Sequence, residues 1–284
     1  MSWLIYSILA TVFLGFSMVF YKLPSYKDYS SFISTILTNT ISAALVIIVL
    51  CITDKVNTAQ HISWYGLAWG ATFSVSMVLF KKLLKGRDSG IIFPAVSSIG
   101  NAFTIIVGLV FLSEKISFIQ ILGILTILLS IYFFQKKDGK LTFNAEALWF
   151  SLGIVIFSTT QKFIQKLGAT HDSVEQFLAY QYFGAAVFGF VLALIFDRKN
   201  LSEILKPKKY LKGAFLISIF SVMAGYVILK ALTLVPLSKV YAVQPIYTLV
   251  TAVLGVWLFK EKLTTNKLLL VLVSIIGVVL LRIG

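Results

Sequence analysis

The sequence predicts an all-α membrane protein, ten transmembrane helices arranged as two inverted repeats of five. Three observations lead there. First, 58% of the 284 residues are hydrophobic and the mean hydropathy is +0.93, whereas soluble domains are about 45–50% apolar. Second, ten segments are each long and apolar enough to cross a bilayer, which takes about 20 residues. Third, the chain matches itself at half its length, the mark of a duplicated unit.

The spans fall at 3–21, 31–52, 62–83, 90–112, 117–134, 147–167, 175–196, 211–233, 237–259 and 265–283. The first follows Met1-Ser2-Trp3, with neither a basic stretch nor a small-residue cleavage site, so it reads as a retained helix rather than a signal peptide. It carries Ser7, Thr11 and Gly15 at a spacing of four, which lets helix backbones approach. The second has Thr38 and Asn39 near its middle, and the third repeats the small-residue spacing in Gly66, Gly70 and Ser74. The fourth contains Pro94 and a polar stripe, then closes on Ser113-Glu114-Lys115. The fifth is almost wholly apolar. A basic connection, Lys136-Lys137-Asp138-Gly139-Lys140, then separates the halves, with 1–137 and 147–284 as the repeats and 138–146 as linker. The sixth span carries Gln161. The seventh is apolar, and Ser218, Ser221 and Gly225 supply small residues in the eighth. The ninth closes on Lys260-Glu261-Lys262, and the tenth completes the second set.

The repeat is read without a gap at an offset of 147 residues. Phe111-Leu112-Ser113-Glu114-Lys115 meets Leu258-Phe259-Lys260-Glu261-Lys262. Gly66 meets Gly213, Ala95 meets Ala242, Val96 meets Val243, Thr104 meets Thr251 and Gly108 meets Gly255. Five helices is an odd number, so the second half enters the membrane from the opposite side, as in the inverted repeats of secondary transporters.

The net charge of +14 does not point to nucleic acid, because the basic residues fall mainly between apolar spans, where they set orientation and meet anionic headgroups. Seven lie on the side shared by both termini (Lys55, Lys115, Lys162, Lys166, Lys230, Lys239 and Arg282) and 18 on the other. Positive residues favour the cytoplasm, so the count places both termini outside it.

Two polar stripes stand out. Ser97, Asn101, Thr104 and Gly108 share one face of the fourth span, and their counterparts Gln244, Thr248, Thr251 and Gly255 share one face of the ninth. Either these faces line a cavity and hydrogen-bond a substrate, or they pack helices together. Buried amides are costly in lipid without partners, so Asn101 and Gln244 are the stronger candidates for lining. Asn39 and Gln161 are polar at depth, and Tyr226 and Tyr247 are aromatic candidates for a substrate wall. The candidate substrate site is therefore Asn39, Ser97, Asn101, Gln161, Tyr226, Gln244, Tyr247 and Thr248. Glu114 and Glu261 read as interfacial caps or gates paired locally with Lys115 and Lys262.

Several classes recede. None of the 11 acidic residues falls mid-span, so coupling through a buried carboxylate is not expected. The single Cys51 and the separated His61 and His171 make no metal site. No phosphate-binding Gly-rich loop followed by Lys-Ser/Thr is present. The expectation is a non-enzymatic, cofactor-free protein of a bacterial inner or plasma membrane, monomer or homodimer, whose partners are a small-molecule substrate and the lipid bilayer. Rival readings are a lipid or lipid-linked sugar flippase and a membrane-embedded transferase.

The doubled apolar helix closing on Ser113-Glu114-Lys115 or Lys260-Glu261-Lys262 resembles the EamA-type transporters of the drug/metabolite transporter superfamily. The closest match runs from Val235-Pro236-Leu237-Ser238-Lys239-Val240-Tyr241-Ala242-Val243-Gln244-Pro245 through Gly255 to Glu261. Two features depart from the family pattern. Pro94 sits one turn earlier than Pro245, and the resemblance implies cytoplasmic termini, against the charge count. It also implies transport of small organic metabolites, such as amino acids or aromatic compounds, by alternating access.

Overall fold

The structure is a computed structural model that describes residues 2–20, 30–59, 61–84, 89–135, 145–205, 210–259, 269, 272–273 and 275–280. Every described element is helical. In chain order these are α1 (Trp3–Phe20), α2 (Ser31–Ile52), α3 (Trp64–Leu84), α4 (Ser89–Phe111), α5 (Phe118–Gln135), α6 (Ala145–His171), α7 (Val174–Phe196), α8 (Leu211–Leu234), α9 (Leu237–Val243) and α10 (Tyr247–Phe259). The described part of the tenth predicted span, between 269 and 280, is also helical. Among the described residues, five helical stretches are each long and apolar enough to cross a bilayer: Trp3–Phe20, Phe32–Ile52, Val174–Phe196, Leu211–Leu234 and Leu237–Gly255. The fold is that of ten spanning helices in two inverted halves.

The ninth span differs from expectation. It is not one helix but α9 and α10, joined by a 3-10 turn at Gln244–Ile246. Pro245 has no amide hydrogen and its ring crowds the preceding turn, so the α-helical ladder tightens there. The sixth span is also longer than predicted, because Gly168 does not end it. The Phe177 ring packs where a Cβ of residue 168 would stand, so the glycine serves close helix approach inside α6. Residues 138–144 of the predicted linker lie outside the described residues.

Packing interleaves the halves. α1 lies on α8, and α6 lies on α3; α1 meets α10, and α6 meets α4; α2 meets α8, and α7 meets α3. With α1 matched to α6, α2 to α7, α3 to α8 and α4 to α9–α10, each of these contacts is the image of another. The pairs α2 with α7 and α4 with α9 map onto themselves. That is the pattern a pseudo-two-fold axis in the membrane plane produces.

Small residues and hydroxyls carry the interfaces. In α3, Gly70 approaches the Gly184–Ala185 backbone so closely that a Cβ would collide with it, and Ser74 Oγ donates to the Ala185 carbonyl at 2.9 Å. Ser17 and Ser221 share a hydrogen bond of 2.9 Å between α1 and α8, beside the stacked rings of Phe16 and Phe220. Ser218 Oγ donates to the Thr38 carbonyl at 2.8 Å. Meanwhile large apolar side chains such as Ile48, Val110, Leu129, Phe190 and Trp257 are exposed. Lipid is the solvent that such a surface requires.

Candidate functional site

Asn101 lies near the middle of α4, about 15 Å along the helix from its end at Phe111. It is 1% exposed. Its Oδ1 accepts a hydrogen bond of 2.6 Å from Lys162 Nζ of α6. Lys162 is half-buried and stands about 14 Å before the end of α6 at His171, at comparable depth. Its Nζ lies 5.2 Å from the centre of the Tyr241 ring, within cation–π range. Tyr241, in α9, is 1% exposed and donates its hydroxyl to Gln165 Oε1 at 2.6 Å. Gln165 is itself buried. One residue from the first half and three from the second thus form a connected polar cluster between α4, α6 and α9.

The charge count assigns Lys162 to the membrane face shared by the termini. The structure corrects that assignment, since the side chain is turned into the bundle. A lysine five residues inside a predicted span normally snorkels to the headgroups. Here the α4 amide and the α9 ring offer it partners at depth. The one signal in the sequence was its spacing of four from Lys166, on a face that also carries Gln161 and Gln165.

The other predicted site residues distribute as follows. Asn39 is 3% exposed, and its Nδ2 donates to the Thr35 carbonyl within α2 at 2.8 Å. Gln161 is half-buried in α6, next to Lys162. Gln244 is half-buried at the start of the 3-10 turn. Tyr247 is 7% exposed, and Thr248 Oγ1 donates to the Pro245 carbonyl at 2.9 Å. Tyr226 faces outward from α8 with Lys230 Nζ 5.4 Å from its ring centre. Ser97 is helical in α4, and its side chain lies outside the described residues. Among the stripe residues outside the predicted site, Thr104 donates to the Gly100 carbonyl at 2.7 Å, and Thr251 donates to the Tyr247 carbonyl at 2.8 Å and to the Gly15 carbonyl of α1 at 3.3 Å. The hydrogen bond that Asn101 accepts comes from Lys162 of α6 rather than from the Gln244 stripe.

At the membrane face shared by the termini, the halves are tied together. Two residues beyond the end of α4, Ser113 adopts the left-handed conformation at φ 50°, a turn that folds Glu114 back beneath Gly108. A Cβ on Gly108 would lie 2.6 Å from Glu114 Oε2, so only glycine leaves room for the carboxylate. Glu114 then accepts hydrogen bonds from the Leu237 and Ser238 amides. The carboxylate of one half thus caps the N-terminus of α9 in the other, where unpaired N–H groups and the helix dipole favour negative charge. This differs from the local pairing with Lys115 expected from sequence. Lys166 Nζ caps the neighbouring helix end, donating to the Leu232 and Val235 carbonyls at 2.6 and 2.9 Å. A cavity of about 400 Å3 opens between Glu114, Lys166, Thr170 and Pro236. None of the predicted site residues lines it. Ser63 donates to Asp172, Gln176 donates to the His61 carbonyl at 3.0 Å, and Lys55 pairs with Glu175 at 2.9 Å. The Glu175 carboxylate raises the pKa of the exposed Lys55 above the usual lysine value, through the hydrogen bond between them. At the opposite face Ser30, which caps the start of α2, donates to Asp197 at the end of α7.

A family model described as the EamA-like transporter family matches residues 1–135 and 144–283. One solved crystal structure resembles this chain at a TM-score of 0.75, covering 98% of this chain and 96% of its own at 13% identity. At that identity the likeness is one of fold. A comparison with curated proteins gives no match.

Proposed function

This chain belongs to the EamA-like transporter family, within the drug/metabolite transporter superfamily, and we propose that it is a secondary transporter of small organic metabolites such as amino acids or aromatic compounds. The observation that carries this reading is the polar cluster of Asn101, Lys162, Gln165 and Tyr241, buried mid-membrane where the two halves meet. Ionisable side chains at such depth mark substrate or ion pathways, and transporters bind their cargo at the repeat interface near the midplane.

The contacts between halves support a reading of alternating access. Opening the face that carries the termini requires Glu114 to release the start of α9, and Lys55–Glu175 and Ser63–Asp172 to part. The 3-10 turn at Gln244–Ile246 divides α9 from α10, so α9 can tilt without carrying α10 with it. Gln244, Tyr247 and Thr248 flank that turn and are proposed to meet substrate as it moves through the site. The protein acts in the cell membrane, without a cofactor and without covalent chemistry.

The test is solute flux in proteoliposomes. Purified protein should exchange at least one labelled amino acid or aromatic metabolite across the bilayer, and Asn101→Ala should slow that exchange while membrane expression stays near wild type. Movement of a labelled lipid with no movement of any solute would replace this reading with the flippase.

A further inference from the structure

We propose that Lys162 is the point at which this transporter recognises a carboxylate, so that its substrates are small organic anions or amino acids held through their carboxyl group. The proposal rests on the transporter reading above and adds the chemical class of the cargo.

An ammonium has three donors and no acceptor. One donor of Lys162 is used, on Asn101 Oδ1. The Tyr241 ring covers the ammonium on another side, and its orientation is held by the bond from the hydroxyl to Gln165. Among the described residues no carboxylate lies within ion-pair distance of Lys162. A cation at this depth is costly in a bilayer, and buried lysines are normally paired with an acid or with backbone carbonyls.

The contrast with Lys166, one turn further along the same helix, is instructive. Lys166 donates to two backbone carbonyls at a helix end, an arrangement complete in itself. Lys162 has a single neutral oxygen and keeps part of its surface open. Because the ammonium cannot accept, Asn101 must turn Oδ1 toward it. The Nδ2 of Asn101 carries two further N–H donors. A carboxylate between α4, α6 and α9 would take a charge-assisted hydrogen bond from Lys162 and a neutral one from Asn101, and would neutralise the buried cation. Gln161 adds a further amide beside Lys162 on α6.

The experiment uses the full chain purified in detergent. Acetate, succinate, benzoate, 3-phenylpropanoate, L-glutamate and L-phenylalanine are each compared with their own amides, and apparent affinity is read from the concentration dependence of thermal unfolding. At least one acid should bind about tenfold more tightly than its amide. Lys162→Arg should keep that preference and Lys162→Met should erase it. Asn101→Asp supplies the ammonium with a built-in carboxylate, so it too should abolish acid binding. It does so without removing the lysine, and it decides the matter if the Met variant does not fold. If no acid outbinds its amide, or if Lys162→Met retains the preference, the proposal is overturned. Solute flux by the same preparation that ignores the carboxylate sinks the role of Lys162 alone. Carboxylate binding at Lys162 with no flux sinks the transporter reading instead.

Discussion

Lys162 and Lys166 share one face of α6, yet their partners give them opposite characters. Lys166 closes a helix end near the membrane surface, and its two carbonyl acceptors would be left unpaired without it. Lys162 has the Asn101 side chain as its hydrogen-bond acceptor. Asn101→Ala should therefore lower the unfolding free energy in detergent by about 1.5–3 kcal/mol, the range for a hydrogen bond to a charged group. The same variant should weaken substrate affinity by roughly 2- to 12-fold, which corresponds to one hydrogen bond of about 0.5–1.5 kcal/mol. Unchanged stability in the unfolding measurement would show that the ammonium does not need this amide.

At the scale of the element, the turn after α4 explains a sequence spacing. Gly108 makes space, Ser113 reverses the chain, and Glu114 caps α9. Glu114→Ala leaves two amides at the start of α9 without their acceptor and should cost about 1–2 kcal/mol, as for loss of a helix cap. Gly108→Ala pushes the carboxylate away from the same amides. The double variant should then be little worse than either single one, because both changes remove one interaction. Additive losses in thermal unfolding would separate the glycine from the cap. The same spacing recurs in Gly255 and Glu261. Glu261 lies outside the described residues. Elsewhere, Gly70 sets how closely α3 and α7 approach. Gly70→Ala should cost about 1–3 kcal/mol through overpacking against backbone. Gly100→Ala, whose nearest neighbour would be Ser158 Oγ at 3.3 Å, should cost less in the same assay.

For the whole molecule, the corrected position of Lys162 sharpens the charge asymmetry. Six basic residues remain on the side of the termini against 18 opposite, so the bias toward termini outside the cytoplasm grows. In a Cys51→Ser background, Val56→Cys near the termini side should react with an impermeant thiol reagent applied to intact cells, and Lys199→Cys on the opposite face should not. Both positions are exposed. Labelling of Lys199→Cys alone would assign the reverse orientation. Interleaved packing has a further consequence. Most of the large helix contacts join one half to the other, as do those of α1 with α8 and of α6 with α3. Changes at one half's surface, such as Gly70, are therefore read by both.

The sequence by itself determined the number of spans and the duplication. The bilayer demands about 20 apolar residues per crossing and tolerates no unpaired backbone, so each span is written in local composition. It also marked Asn101, because an amide in an apolar run is conspicuous. The partner of that amide was not legible. Lys162 lies 61 residues away, and a lysine near a helix end reaches water or a buried oxygen equally well, according to what stands beside it. Likewise Glu114 was visible as a terminal acid, but its cap on α9 joins residues 123 apart. Pairings across the two halves depend on how ten similar apolar surfaces choose one another. Small-residue packing and a few long-range hydrogen bonds make that choice, and only the tertiary structure brings those groups together.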